Sequence, residues 1–120
     1  MIGKDITKIS LPVFLNAPIN VIQRAACSCE YNDLLDLAVS FDDSLLRLAH
    51  IAIYASTCFT HVEKSSAKPF NPLLGETYEL MTPKYKFFGE VVSHHPPIIA
   101  YNIQGKSGYV KHGLNGIRKP

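Results

Sequence analysis

The stretch Thr77-Tyr78-Glu79-Leu80-Met81-Thr82-Pro83-Lys84-Tyr85-Lys86-Phe87-Phe88-Gly89-Glu90-Val91-Val92-Ser93-His94-His95-Pro96-Pro97 decides how the chain folds. Its apolar residues alternate or come in short bursts rich in aromatic and β-branched side chains, which is the spacing of strands. Residues 77–81 and 85–92 read as two strands, and Thr82-Pro83-Lys84 supplies the turn, predicting a β-hairpin. Pro96-Pro97 interrupts the pattern, and residues 98–103 read as a third strand. Beyond Gly105 the chain looks like strand-and-turn material without a clear period. An antiparallel sheet of three or four short strands leaves an open edge, which is a liability unless something covers it.

Upstream the period changes. Between Pro18 and Phe59 the apolar spacing is helical. A first helix is predicted after Pro18, a good first-turn residue, with Asn20 as a cap before Val21, Ile22 and Ala25. A second runs from Asn32 through Leu34, Leu35, Leu37 and Ala38. The third can be capped by Asp42 and Asp43 and carries Leu45, Leu46, Leu48, Ala49, Ile51, Ala52, Ile53 and Ala55. Apolar on most of its circumference, it is expected to be a buried helix. A membrane crossing is disfavoured, because residues 44–60 include Arg47 and His50. That span also falls short of the roughly 20 apolar residues a bilayer requires. Residues 63–72 read as a connector rich in Ser, Lys and Pro.

Composition bounds the function. A chain of 120 residues and 13.3 kDa has room for one domain. With 47% hydrophobic and 18% charged residues it is globular in composition. A net charge of +2 argues against a dedicated nucleic-acid binder, which carries a dense basic face. Three cysteines in no disulfide-rich spacing point to a reducing compartment. The opening Met1-Ile2-Gly3-Lys4-Asp5 has no apolar run or cleavage site of a signal peptide. Lys106, Lys111, Arg118 and Lys119 are expected on a solvated face.

The densest chemistry is Ser93-His94-His95-Pro96-Pro97. Proline restricts the residue before it to extended conformations, which holds His95 away from helix. In a regular strand His94 and His95 point to opposite faces, so serving one ligand requires the backbone to leave strand geometry. The string Lys68-Pro69-Phe70-Asn71-Pro72-Leu73-Leu74-Gly75-Glu76 has the same grammar, with Lys68 and Asn71 each stiffened by a following proline. Lys68, Asn71, His94 and His95 together offer an ammonium, an amide donor and two imidazoles. That shell suits a phosphate monoester, which carries about −1.5 to −2 charges at neutral pH. The competing reading of the His pair is a purely structural turn. A metal site fits poorly, since Cys27-Ser28-Cys29 does not supply the missing ligands at a zinc spacing. Ser93 lacks a Gly-x-Ser-x-Gly elbow, and Cys58 reads as packing.

The two strings, with Thr77-Tyr78-Glu79 after the first and Glu90-Val91-Val92 before the second, resemble the lipid-binding domain of the oxysterol-binding-protein-related family. The second is close to the fingerprint Glu-Gln-Val-Ser-His-His-Pro-Pro, with Val91 in place of Gln. Residues 3–16 are similar to the segment that precedes the family's first helices, and the resemblance ends near residue 104.

The resemblance implies an α+β fold. A lid segment and helices precede antiparallel strands that begin a large incomplete β-barrel enclosing a lipid tunnel. It divides the chain into a lid-like segment (1–17), a helical region (18–62), signature loops with the first barrel strands (63–104) and a tail (105–120). It implies non-enzymatic lipid transfer between membranes, with sterol or phosphatidylserine exchanged against phosphatidylinositol 4-phosphate. No cofactor, metal or nucleic acid is implied. The setting is cytoplasmic, with transient contact to membrane surfaces. Lys68, Asn71, His94 and His95 would bind the 4-phosphate, Glu76 would orient basic neighbours, and Leu11, Pro12 and Val13 would cover the lipid. The family's domain is much longer than this chain. The alternative is therefore a fragment without transfer activity of its own, acting at most through protein contacts.

Overall fold

A computed structural model describes residues 12–60 and 67–116. Strand β1 (Asn16–Asn20) leads directly into helix α1 (Val21–Ala26), followed by α2 (Asp33–Ser40) and α3 (Ser44–Thr57). β2 (Lys68–Phe70) pairs in parallel with β1. β3 (Thr77–Met81), β4 (Tyr85–His94), β5 (Pro97–Gly105) and β6 (Val110–Gly116) form an antiparallel sheet in sequence order. The fold is α+β, and the hairpin forms where the strand pattern places it.

Helix α1 starts at Val21 because Asn20 closes a capping box. The Asn20 side chain accepts the Gln23 N–H at 2.8 Å, and the Gln23 side chain accepts the Asn20 N–H at 2.8 Å. Both satisfy donors that the helix itself leaves without a partner. Asp43 caps α3 likewise, accepting the Leu45 N–H at 2.8 Å.

The core lies between α1 and one face of the sheet. Ile22, Ala25, Ala26 and Cys29 pack against Phe87, Val91, Ile99 and Ile103. Phe87 pairs with Leu80 on one side and Ile103 on the other, so the period of two puts these residues on one face. Ile22, Phe87 and Ile103 are almost fully buried. Each such side chain contributes about 1.5–3 kcal/mol through burial. The helix comes this close because Gly89 lies beneath it. A Cβ there would meet Ile22 Cγ2 at 2.6 Å and the Phe87 ring at 3.1 Å.

Five expectations are corrected. Pro18 lies inside β1 and not in the first turn of a helix. A proline that cannot donate is tolerated in a strand with one open edge, and the capping box fixes the helix start instead. Of the expected connector, residues 63–66 lie outside the described residues, while Lys68, Pro69 and Phe70 form β2. The prolines already favour extended backbone there, and pairing with β1 completes it. The third helix is not buried. Among its residues Tyr54 is buried, whereas Leu45, Leu46, Leu48, Ile51 and Ile53 are exposed. It packs beside α2 and is tied through Tyr54 to the turn after α1, the Tyr54 hydroxyl donating to the Ser28 carbonyl at 3.0 Å. Cys58, read as packing, is exposed just past that helix. Finally, the segment after Gly105 is not patternless. It turns through Gly108 at φ +111° and returns as β6.

Lys111 on β6 likewise leaves the solvated face expected of it. Its ammonium donates to Tyr54 Oη at 2.9 Å and sits over the Tyr54 and Tyr101 rings, 4.8 and 5.5 Å from their centroids. Burial pushes the Tyr54 hydroxyl pKa up, so it remains a neutral acceptor for that ammonium. Lys106 is exposed, while Arg118 and Lys119 lie outside the described residues.

Substituting Gly89→Ala is expected to destabilise the chain by roughly 1–3 kcal/mol, the usual cost of overpacking. Thermal unfolding followed by circular dichroism measures it. An unchanged midpoint would mean that α1 does not rest on this glycine.

Candidate functional site

One end of the sheet collects the signature residues. β3 begins with Thr77 opposite Glu90, and β4 continues past Glu90 to His94. The loop before β3, the end of β4, the start of β5 and the end of β6 therefore share that end, where Ile98 pairs with Gly116.

The backbone departs from strand geometry just before the histidines. Val91 pairs with Ile99 and Ser93 with Ile98, so Val92 is an extra residue on β4. Such a bulge bends the strand and re-aims the side chains after it. His94 closes β4 opposite Pro97, and His95 stands in the turn, with a cis peptide to Pro96. The two rings lie 4.4 Å apart, edge to face at 63°, and both are exposed. The obstacle to two adjacent histidines serving one ligand is thereby removed.

The other signature loop is clamped from three sides. The Gly75 N–H donates to the Val91 carbonyl at 2.9 Å, and the Val91 N–H donates to the Glu76 carbonyl at 3.0 Å. Gly75 adopts φ +78°, a conformation that side chains with a Cβ rarely take. The Glu76 carboxylate accepts the Leu73 N–H at 2.8 Å on one oxygen and the Asn20 side-chain amide at 2.9 Å on the other. Glu76 thus orients two amides, one from α1 and one from its own loop. Arg24 of α1 adds a guanidinium bond to the Ala67 carbonyl at 2.8 Å, just ahead of β2.

Between these parts lies an apolar cavity of about 250 Å³. Val21, Pro72, Val91, Pro97 and Ile99 line it, with the amides of Asn71 and Asn115 as polar groups. Asn71 and Pro97, two residues after His95, thus line the same cavity. Lys68 is exposed at the start of β2, opposite Asn16, and neither it nor the histidines line the cavity. Pro12 is exposed, as is Val13, which opens a short 3₁₀ turn at 71% exposure. Leu11 lies outside the described residues. Among the described residues no group of three or more His, Cys, Asp and Glu is placed to hold a metal ion. No described helix is long and apolar enough to cross a membrane.

Sequence reasoning missed Asn20 and Asn115 as members of this site. The Asn20–Gln23 spacing signals the helix cap, but nothing local signals its contact with Glu76, 56 positions away. Asn115 reaches the cavity only because β6 pairs with β5, where it lies opposite Ile99.

The sequence profile of the family described as Oxysterol-binding protein matches residues 1–116, which runs past the point where the motifs end. Oxysterol-binding protein homolog 2 of Saccharomyces cerevisiae is 50% identical over 102 residues, covering 83% of this chain and 8% of that protein. Human oxysterol-binding protein-related protein 6 is 44% identical over 110 residues, covering 88% of this chain and 11% of that protein. The crystal structure of the Osh1 ORD domain in complex with ergosterol superposes with a TM-score of 0.83 at 47% identity, covering 95% of this chain and 28% of that one. The Osh3 ORD in complex with PI(4)P from Saccharomyces cerevisiae matches with a TM-score of 0.71 at 32% identity, covering 88% and 29%. The chain thus spans about a tenth of these two curated relatives and under a third of the crystallised domains. On this match over nearly the whole chain, it belongs to the oxysterol-binding protein family.

Proposed function

We propose that this chain forms the entrance of a non-enzymatic lipid-binding domain, which exchanges a sterol or phosphatidylserine against phosphatidylinositol 4-phosphate between membranes. The observation that carries this reading is the apolar cavity lined by Asn71 and Pro97 at the end of the sheet where the His94–His95 turn stands. The imidazoles and the Asn71 amide can donate to a phosphate there, and an apolar wall continues behind them. Lys68 adds a positive charge on a backbone stiffened by Pro69, which lowers the ordering cost of binding. The crystallised relatives hold ergosterol, cholesterol and PI(4)P, which supports both ligand classes. Pro12 and Val13, with Leu11 before them, are assigned to the cover over the bound lipid. The protein works in the cytoplasm, peripherally on membranes.

The exposed apolar residues of α3 favour a second reading, in which the chain alone encloses no lipid and acts only through protein contacts. Circular dichroism and lipid analysis of the purified chain separate the two. Cooperative unfolding with one co-purifying lipid supports the first reading, and neither supports the second.

Replacing His94→Ala and His95→Ala together is expected to lower extraction of phosphatidylinositol 4-phosphate from liposomes about tenfold or more. Loss of one charge-assisted hydrogen bond, at about 1.5–3 kcal/mol, is enough for that effect. Sterol extraction serves as the internal control. Undiminished phosphoinositide extraction would refute the headgroup assignment.

Glu76→Ala is expected to weaken the same extraction without removing a phosphate ligand, because it frees Leu73 and Asn20 together. Glu76→Gln keeps an acceptor and is expected to restore part of the loss. Equal deficits in the two variants would show that the carboxylate does not position the loop.

A further inference from the structure

Asn115 is the only asparagine in the chain that is followed by glycine. The pairing matters because a backbone nitrogen can attack the side-chain amide of the residue before it, and a Cβ on the attacking residue hinders the approach. Gly116 has none. Asn71, the other amide of the cavity, precedes Pro72, whose nitrogen has no proton to lose.

The sheet leaves the Gly116 nitrogen unengaged. Opposite residues on antiparallel strands alternate between pairs that exchange hydrogen bonds and pairs that do not. The Gly105 N–H donates to the Tyr109 carbonyl at 2.9 Å, which makes those two a bonded pair. Counting in twos along the register, Ile99 and Asn115 are a bonded pair, and Ile98 and Gly116 are not. The Gly116 N–H therefore points away from β5, to the side of β6 on which the described residues place no strand. The next bonding position on β5 is Pro97, which has no N–H to offer. Turning Asn115 toward the Gly116 nitrogen thus gives up one ladder bond, at a strand end of the kind that opens locally. The amide itself is well placed, because Asn115, Ile99 and Val91 follow one another across the sheet and all line the cavity.

We propose that Asn115 deamidates in the folded protein, replacing an amide of the cavity by a carboxylate. Base removes the Gly116 amide proton, and the nitrogen attacks Asn115 Cγ. The N–Cγ bond forms, the Cγ–Nδ2 bond breaks, and Nδ2 leaves as ammonia after gaining a proton. Water then opens the resulting cyclic imide at either carbonyl. One opening gives aspartate, and the other gives isoaspartate, whose main chain runs through Cβ and Cγ. Overall one water is consumed and one ammonia released, with no oxidant or reductant. Either product is ionised at neutral pH. A carboxylate there repels a phosphate drawn to the same cavity. That consequence rests on the headgroup reading of the preceding subsection, whereas the modification does not.

The test is mass measurement of the full 120-residue chain, and of its tryptic peptide 112–118, during storage in mildly alkaline buffer. The mass gain of exchanging NH₂ for OH is expected in that peptide, faster as pH rises because the attacking nitrogen must lose its proton. Gly116→Ala is expected to slow the gain about tenfold. Its Cβ would meet Ile98 Cγ1 at 3.3 Å, a contact that a small side-chain shift relieves. An unchanged rate in this variant, or a gain confined to urea-unfolded chain, overturns the proposal. Asn115→Asp is expected to lower phosphatidylinositol 4-phosphate extraction about tenfold, the effect of one added like charge. Asn102→Asp puts the same charge on the other face of the sheet, between Phe88 and His112, and is expected to change extraction less than about twofold. Equal losses in the two variants overturn the action of the charge within the cavity. If the unmodified chain extracts no phosphoinositide, the preceding reading fails, and the mass measurement still decides the modification.

Discussion

The Glu76 carboxylate is the contact on which the rest of the site depends. One oxygen holds the side chain that caps α1, and the other holds the backbone of the loop carrying Asn71. Asn20 in turn uses its carbonyl oxygen for the Gln23 N–H and its amide for Glu76, so one residue serves the helix and the site together. A sheltered hydrogen bond to a charged group contributes about 1.5–3 kcal/mol, and the solvent-facing bond to Leu73 contributes less. The larger consequence is geometric. The loop, the helix and the end of the sheet are held as one unit before any ligand arrives, which lowers the ordering cost of binding.

The packing beneath that clamp explains why the unit is stiff. α1 is short, and a helix of this length has little stability of its own. It persists because Ile22, Ala25 and Ala26 are buried on the sheet and because Gly89 leaves room for the approach. The same strand, β4, supplies the Gly89 seat, the Val91 hydrogen bonds to the loop, the bulge at Val92 and His94 at its end. Seat, latch and site thus follow one another along a few residues. Displacement of β4 relative to α1 would reach all of them.

Much of this was legible along the chain. Alternation in residues 77–92 with a Thr-Pro-Lys turn placed the hairpin, and Asn20 before Val21 marked a helix start. The two proline-stiffened strings marked backbone whose Asn71, Pro72 and Pro97 line the cavity. The α3 reading failed for a physical reason. An apolar circumference reports that a helix has surface to bury, and it does not report which partner buries it. β2 was hidden because a three-residue strand has no period, and its partner lies some fifty residues upstream. Lys111 reads as a solvated charge in sequence, yet two aromatic rings brought together by α3 and β5 receive it.

By itself, then, the sequence determined what is set by neighbours along the chain: strand period, turn residues, the helix cap and the stiff backbone around Lys68, Asn71 and His95. Local sterics and local hydrogen bonds decide these, and both are readable within a few residues. The tertiary structure alone decided which of those pieces meet. It brought Asn71, Pro97 and Asn115 to one cavity, tied Asn20 to Glu76, turned the histidines by a bulge and left Leu73 and Leu74 facing outward. Those outcomes depend on pairing register and on long-range packing, which are properties of the assembled surfaces and not of any short stretch.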